Sequence, residues 1–492
     1  MTSVRQAVID IGSNAIRLVV YAGAKRAPMP IYNEKSKAGL GVCLSNGGVI
    51  DAATMDQAVT AIVRFHTLAR AMDVETLRVV ATAAVREATN GQELVTRAGE
   101  MGIRVEILDG ASEAYIAGLG ILSEHSDGDG YVGDFGGGSL ELARIANGKI
   151  GARLSLPFGS LRIAEMVAQS PKDISLTLKK AIDAAAGSGH FPIEKDLPFF
   201  LIGGSWRALA RLHIHANQFP LAILSNYVMP TTAPTELLPV TQDARYLSEN
   251  KLVPTARIET LPRAAALLSG IVRLLKPSTL ITSTSGLREG LLFETLSASD
   301  RKLDPFVEAA RFEGARLARV RFHGAALAEW TAPLFEAQGP AMARLRLIAC
   351  LLADTAWNMT PEYRGDVALT LALDGSWPGA TTEDRAILAA ALVAVYDSKR
   401  TPLELLHQLA SPEKIRHAMC WGLAIRLAQR LDGGTGAALA DSQLTAKNGQ
   451  LQLRLSRTAE RLQSESVARR LQRLGDALGF DKTQIVAGKV LQ

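Results

Sequence analysis

Asp134 closes the apolar run Tyr131-Val132-Gly133. It is followed by Phe135, the consecutive glycines Gly136, Gly137 and Gly138, Ser139, and a second acid, Glu141, inside another apolar run. Consecutive glycines let backbone N–H groups turn toward an anion that a Cβ would push away. A carboxylate beside such a turn does not bind phosphate itself, but it can hold the magnesium that phosphate brings. The N-terminus repeats the pattern, with Val8-Ile9-Asp10-Ile11 leading into Gly12, Ser13 and Asn14. Two acid-glycine-serine turns after apolar runs predict two halves of one phosphate site.

Two further segments have this character. Gly203, Gly204 and Ser205 follow the apolar run Phe199–Ile202, and Thr82 and Arg86 follow Leu77–Ala81. Phosphoryl transfer needs such N–H groups, hydroxyls and guanidinium groups, because it depends on positioning and charge neutralisation more than on covalent chemistry by the protein. One glycine turn alone is equally an ordinary tight turn; the weight lies in three, each after an apolar strand. Glu113 stands at a helix start after the run Ile103–Leu108. The helix dipole favours an acid there in any case; the catalytic reading is a general base that activates water.

The elements that must position these residues come in two similar sets. Residues 1–125 read as a mixed α/β lobe: strands Val8–Asp10 and Ile16–Tyr21 form a hairpin, residues 52–72 have helical periodicity, and Leu77–Ala81 and Ile103–Leu108 are strands. Residues 126–300 repeat the order, with strands Tyr131–Asp134 and Leu140–Ile145, a hairpin turn at Asn147-Gly148, and a strand Phe199–Ile202 before a helix. This duplication predicts a two-lobed enzyme with a cleft. Residues 230–255, rich in Thr and Pro, read as a loop excursion, before a helix Leu261–Leu275 and a strand Thr279–Thr282. Residues 301–430 have helical spacing and read as a separate helical domain. Residues 431–492, after the break at Gly433-Gly434-Thr435-Gly436, read as a small basic α+β piece with a strand Leu451–Leu455 and a helix over about 458–478.

Composition sets the outer limits. A chain of 492 residues with 48% apolar and 21% charged residues has the make-up of an ordinary soluble globular protein. No apolar run approaches the ~20 residues that span a bilayer. The start, Met-Thr-Ser-Val-Arg-Gln, enters a strand directly and lacks a signal-peptide pattern. Cys43, Cys350 and Cys420 are too far apart for a disulfide or zinc framework. A cytoplasmic protein without membrane contact is expected. The net charge of +5 lies entirely in residues 301–492, and residues 451–492 carry 8 basic against 4 acidic side chains. Such a bias either steers a polyanion or is a solvated helix face.

Taken together, these segments closely resemble the exopolyphosphatase / guanosine pentaphosphate phosphohydrolase family. The resemblance rests on residues 8–14, 81–90, 110–114 and 133–142, and further on Leu-Pro-Phe-Gly-Ser (156–160), Gly-Gly-Ser (203–205) and Gly-Leu-Arg-Glu-Gly (286–290), in family order. It implies an α/β, two-lobed fold of the actin / sugar-kinase / heat-shock-ATPase (ribonuclease H-like) type. It implies magnesium, joined by a monovalent cation such as potassium. The expected activity is processive hydrolysis of terminal phosphate from inorganic polyphosphate. The alternatives are a guanosine pentaphosphate 5′-phosphatase and a regulator that binds guanosine tetra- or pentaphosphate; an ATP-dependent kinase is a more distant reading. By resemblance Glu113 is the water-activating glutamate, Asp134, Glu141 and Asp10 are the acids near the metal, and Arg86 binds phosphate. Asp10, Gly12, Ser13 and Asn14 match the first phosphate turn and Gly136, Gly137, Gly138 and Ser139 the second, with Thr82, Gly203, Gly204 and Ser205 as further phosphate contacts. A homodimer is implied in the same way.

The chain also departs from that family. Gly39-Leu40-Gly41 stands where Arg-Leu-Gly is usual, so one positive charge is lost. Trp206 follows Gly203-Gly204-Ser205 without the usual threonine, and either stacks on a base or packs in the core. Asn226-Tyr227 stands near a usual His-containing motif. The helical region 301–430 resembles a metal-dependent HD domain in position and size, but alanine precedes Asp354, and His323, His407 and His417 are its histidines. Tyr363-Arg364 and Tyr396-Asp397-Ser398-Lys399 stand near expected histidines. The reading is a degenerate, non-catalytic HD-like domain in which His323 is structural. Arg454, Arg457, Arg461, Arg469, Arg470 and Arg473 either line a path for the polyanion or form a solvated face.

Overall fold

The first strand, β1 (Gln6–Ile11), buries Ala7, Val8 and Ile9 in succession. That is expected of a central strand covered on both faces. It pairs antiparallel with β2 (Ile16–Ala24), which pairs with β3 (Ala27–Ser36), and parallel with β4 (Thr76–Ala81), which pairs with β5 (Glu106–Ile107). The sheet order is β3-β2-β1-β4-β5. A second sheet repeats this plan. β6 (Gly130–Phe135) pairs antiparallel with β7 (Leu140–Ala146), followed by β8 (Lys149–Leu156), and parallel with β9 (Phe199–Ile202). β10 (Val228–Met229) and β11 (Leu280–Thr282) complete the order β10-β11-β9-β6-β7-β8. The duplicated plan, a central strand between an antiparallel hairpin and parallel neighbours, is the two-lobed actin-like arrangement. This computed structural model describes all residues except 1–3, 45–47, 188–189, 397–401, 448, 489 and 491–492, and the side chains of 165 and 167. Asp397, Ser398 and Lys399 therefore lie outside the described residues.

The chain divides into two units, Met1–Asp304 and Pro305–Gln492. Within the first, each sheet has its own apolar core. Val8, Val19, Val80, Ile116 and Leu291 form a shared cluster that joins the first sheet to the helices Gly110–Glu124 and Leu287–Glu294. These two helices cross on glycines. A Cβ on Gly290 would lie 1.9 Å from the Ile116 carbonyl oxygen, and one on Gly120 2.3 Å from that of Gly286.

Three local expectations change. Residues 230–255 hold the helices Ala233–Gln242 and Ala244–Glu249, not a loop. Pro234 stands in the first helical turn, where its missing N–H costs nothing, the Asp243 side chain caps the second helix, and Leu237 and Leu247 anchor both in the core. Of Ile103–Leu108, only Glu106–Ile107 reaches the ladder, beside Val80 and Ala81 at the sheet edge. The helix expected over 458–478 is a short 3₁₀ turn, Ala459–Leu462, and a helix Glu465–Leu478 capped by Ser464.

The second unit is mainly helical. Its helix Thr382–Tyr396 is buried almost all round, and packs beside the long helix Pro412–Asp432. A small sheet, β12 (Ser442–Lys447), β13 (Gln450–Leu455) and β14 (Lys482–Ala487), closes it. Here the Arg319 Nε and backbone N–H both donate to Asp354, at 2.9 Å, and His323 Nε2 lies 3.1 Å from Asp432 Oδ2. Among the described residues, no helix is long and apolar enough to cross a membrane.

Candidate active site

Asp10 and Asp134 occupy equivalent places, one residue before the end of the central strand of each sheet. Directly after these strands the two turns meet. A Cβ on Gly137 would lie 3.0 Å from Asn14 Nδ2, and one on Gly138 2.9 Å from Ser13 Oγ and 3.0 Å from Ala83 Cβ. Glycine is therefore required at 137 and 138 so that the turns can touch. The carbonyls of Gly136 and Gly137 are taken by the N–H groups of Ser160 and Leu161, and the Ser13 carbonyl by that of Gly41. The two turns singled out in the sequence stand side by side.

The acids fall into two pairs. Asp10 and Asp134 are half-buried, and among the described residues neither side chain has a hydrogen-bonded or ion-paired protein partner. Burial raises both, Asp134 to about 6, while Arg288 and Arg17 oppose the rise at Asp10 and Arg207 opposes it at Asp134. Oxygen donors left without protein partners fit a hard dication such as magnesium, which uses one or two carboxylates, keeps several waters and takes its other ligands from phosphate. No cluster of three or more His, Cys, Asp or Glu forms a ready-made metal cage among the described residues. Glu113 and Glu141 form the second pair. Asp109 caps the helix Gly110–Glu124 by accepting from Ser112 N–H, which sets Glu113 in its first turn. Burial lifts the Glu113 carboxyl to about 7 against the pull of Arg86, whose Nη1 donates to it at 2.8 Å and to the Leu108 carbonyl at 2.9 Å. Glu141, opposite Asp134 in the ladder, is pushed well up by burial and then by Glu113, although it accepts from the Ser155 hydroxyl at 2.9 Å.

Thr82 sits at the N-cap position of the helix Ala83–Glu87 that carries Arg86, and Thr82 N–H donates to the Ile11 carbonyl. Ser139, Ser155, Gly110, Arg86 and Arg162 line a cavity of about 360 Å³, at whose edge Arg162 from the second lobe pairs with Glu87 from the first. The third glycine turn is different. Gly203 (φ 115°) caps the helix Gly204–Ala216, where a Cβ would strike the Phe135 carbonyl oxygen at 2.5 Å. Ser205 is buried, with its hydroxyl 3.3 Å from both Thr260 Oγ1 and Arg257 Nη1, so it supports Arg257 and does not face the cleft as a free donor. Trp206 belongs to the core: its ring stacks on Phe135 at 5.3 Å and its Nε1–H donates to the Ala264 carbonyl.

The turn at Gly136, Glu113 and its arginine, and the glycine helix crossing all lie in one stretch that matches a known family, and the turn at Gly12 lies just ahead of it. Residues 19–299 match the Ppx/GppA phosphatase family, and residues 307–486 match the exopolyphosphatase C-terminal family. The chain belongs to the Ppx/GppA phosphatase family. It is similar to exopolyphosphatase 1 of Mycobacterium leprae, with 32% identity over 165 residues, which are 32% of this chain and 48% of that protein. This match spans only about half the length of the mycobacterial relative. A guanosine-5′-triphosphate,3′-diphosphate pyrophosphatase of Aeromonas hydrophila is 23% identical over 448 residues, 87% of this chain and 88% of that one. Among solved structures, the Aquifex aeolicus Ppx/GppA family member superposes with a TM-score of 0.52 at 23% identity, over 60% of this chain and all of that one, a likeness of fold.

Within this Ppx/GppA fold, the positive side of the cleft escaped the sequence reading. Arg17 stands opposite Asp10 in the β1–β2 ladder. Arg207, in the first turn of the helix Gly204–Ala216, is lowered to about 10 by burial and by Arg288. The Arg257 guanidinium lies over Gly204, where a Cβ would meet its Nη2 at 2.5 Å. Lys35 is lowered by burial, Arg257 and Arg17. Arg17 had a readable signal, because its place in a hairpin opposite Asp10 follows from the turn. Arg257 had none, since it falls between the segment 230–255 and the helix Leu261–Leu275, in a stretch to which the sequence assigns no element.

Proposed function

We propose that this chain is an exopolyphosphatase, a phosphoanhydride hydrolase that releases terminal phosphate from inorganic polyphosphate with magnesium. The observation that carries the reading is Glu113: a buried carboxyl lifted to about 7 and aimed by Arg86 beside two touching glycine turns. A general base works best when its pKa lies near the operating pH.

In this reading the N–H groups of Ser13, Asn14 and Gly137–Ser139 receive the terminal phosphate and Thr82 borders it, while the N–H groups of Gly12 and Gly136 hold the turns by donating to the Ala15 and Ser139 carbonyls. Glu113 takes the proton of a water that attacks the phosphorus in line. The bond to the bridging oxygen breaks, and the shortened chain leaves as an anion. Arg86 holds the Glu113 carboxylate in place, and Arg17, Arg207, Arg257 and Arg288 meet the charge on the phosphates behind the reacting one. Magnesium held by Asp10 and Asp134, with Glu141 as the third acid of the expected set and potassium as a second cation, would supply charge neutralisation at the phosphate oxygens. A cytoplasmic homodimer fits this reading by family resemblance.

The second reading, a guanosine pentaphosphate phosphatase, is favoured by the relative from Aeromonas hydrophila, which aligns along most of the chain. One experiment separates them: magnesium-dependent phosphate release from long-chain polyphosphate and from guanosine pentaphosphate, side by side, with Glu113→Ala as control. Release mainly from polyphosphate, reduced about 10²–10⁴-fold in the variant with little change in KM, is expected. Release mainly from the nucleotide would assign the second reading, and an unchanged variant would remove Glu113 from its role.

A further inference from the structure

The helix Gly204–Ala216 links two places. Its first turn carries Arg207 at the cleft, and its last turn, at the far end of a helix about 18 Å long, opens into a cavity of about 750 Å³. Arg211, His215, Phe219, Tyr246 and Lys251 are among its lining, with Ile214 and Leu252 beneath, and no acid lines it. Such a volume lies in the range of small-molecule sites. Among the described residues the side chains of Arg211, His215 and Lys251 have no hydrogen-bonded or ion-paired partner. Tyr246 is 38% exposed, a large share for an aromatic ring on a helix that buries Leu247 fully.

The backbone adds a separate observation. Gln218 (φ 48°) and Lys251 (φ 51°) both follow helix ends in the left-handed region, where glycine is the usual residue. Each keeps a long polar side chain at the cavity in a backbone conformation that L-residues disfavour. The negative end of the helix Gly204–Ala216 accounts for a preference for basic residues there, but not for aromatic rings beside them. Rings next to unpaired cations, over an apolar floor and without an acid, match a ligand with a flat ring and an anionic group.

We propose that this cavity is a second ligand site, for a nucleoside phosphate, distinct from the cleft. The ring of the ligand lies against Tyr246 and Phe219, and its phosphates are met by Arg211, His215 and Lys251. The site shares one helix with Arg207, so occupancy bears on the cleft through that helix.

The test is calorimetric titration of the full chain with GDP and with ADP, in EDTA so that no metal-dependent turnover occurs. The readout is binding, and it stands whether or not polyphosphate proves to be the substrate. Saturable binding of one or both nucleotides is expected, weakened about tenfold by Lys251→Ala and by Tyr246→Ala, the size of one lost charge-assisted contact or ring stack. Arg86→Ala, in the cleft, should leave that binding intact, and inorganic pyrophosphate should bind at least tenfold more weakly than the nucleotides. Both substituted pocket residues are exposed, so unchanged thermal unfolding is expected to accompany the loss. Absence of nucleotide binding overturns the proposal, as does binding that is lost with Arg86→Ala and kept in the two cavity variants. Pyrophosphate binding as tightly as GDP and ADP would overturn the assignment of a ring-bearing ligand.

Discussion

Glu113 illustrates how much one buried carboxyl can govern. Its ordinary value near 4.5 is raised to about 7, first by burial, with Arg86 only partly offsetting the shift. If the carboxylate is the working form, kcat rises with pH through about 7 with a slope of one proton and levels above it; a pH profile of phosphate release checks this, and a flat profile between pH 5 and 8 would contradict it. The same shift has a stability consequence of opposite sign. A raised carboxyl favours the fold while protonated, so its contribution is complete below about 4.5 and is lost as pH rises through about 7. For Asp134 the corresponding window runs from 3.8 to about 6. Above about 6 the cleft holds the Asp134 carboxylate without a protein partner, and magnesium should offset the cost. Thermal melts with and without magnesium should therefore show a larger rise in Tm at pH 8 than at pH 5. Equal shifts at the two pH values would argue against Asp10 and Asp134 as metal ligands.

At the scale of elements, the helix pair Gly110–Glu124 and Leu287–Glu294 carries the load. The first positions Glu113, the second Arg288, and both pack on the first sheet through Val8, Val80, Ile116 and Leu291. Their close approach depends on Gly120, Gly286 and Gly290. Gly290→Ala places a methyl group 1.9 Å from the Ile116 carbonyl oxygen, so the helices must separate. A loss of about 1–3 kcal/mol in stability is expected, with a fall in kcat because Glu113 and Arg288 move apart. Chemical denaturation measures the first effect and steady-state kinetics the second; an alanine variant of wild-type stability would show that the crossing tolerates a wider spacing. Tyr21 adds to this junction, since its hydroxyl donates to Glu289 at 2.6 Å, and Glu289 also accepts from the Gly286 N–H.

At the scale of the whole molecule, positive charge is gathered in each unit separately. In the first it is the arginine set of the cleft. In the second, Arg426 and Arg430 on the helix Pro412–Asp432 face Arg470 and Arg473 on the helix Glu465–Leu478, closely enough that burial and their mutual repulsion hold Arg426 near 10. Arg469 pairs with Glu465 at 3.4 Å, so the cluster differs from the arginine row that spacing alone suggests. Like charges held together favour a polyanion. Arg430→Ala with Arg470→Ala should raise KM for long polyphosphate more than for short chains, and high salt should shrink the difference; equal effects at all lengths would leave the cluster a structural feature. Much of this protein was legible in the chain itself. The apolar strands, the turns at Gly12 and Gly136, the helix start that carries Glu113, and the duplicated order of elements are local patterns, and backbone sterics and hydrogen bonding make them readable. What only the tertiary structure decided is which charges face one another. Arg257 comes from a stretch to which the sequence assigns no element, Ser205 turns into the core to support it, Trp206 is taken up between Phe135 and Phe199, and Arg426 meets Arg470 across two helices. These are contacts between residues far apart in sequence, set by packing and desolvation, and no local spacing encodes them.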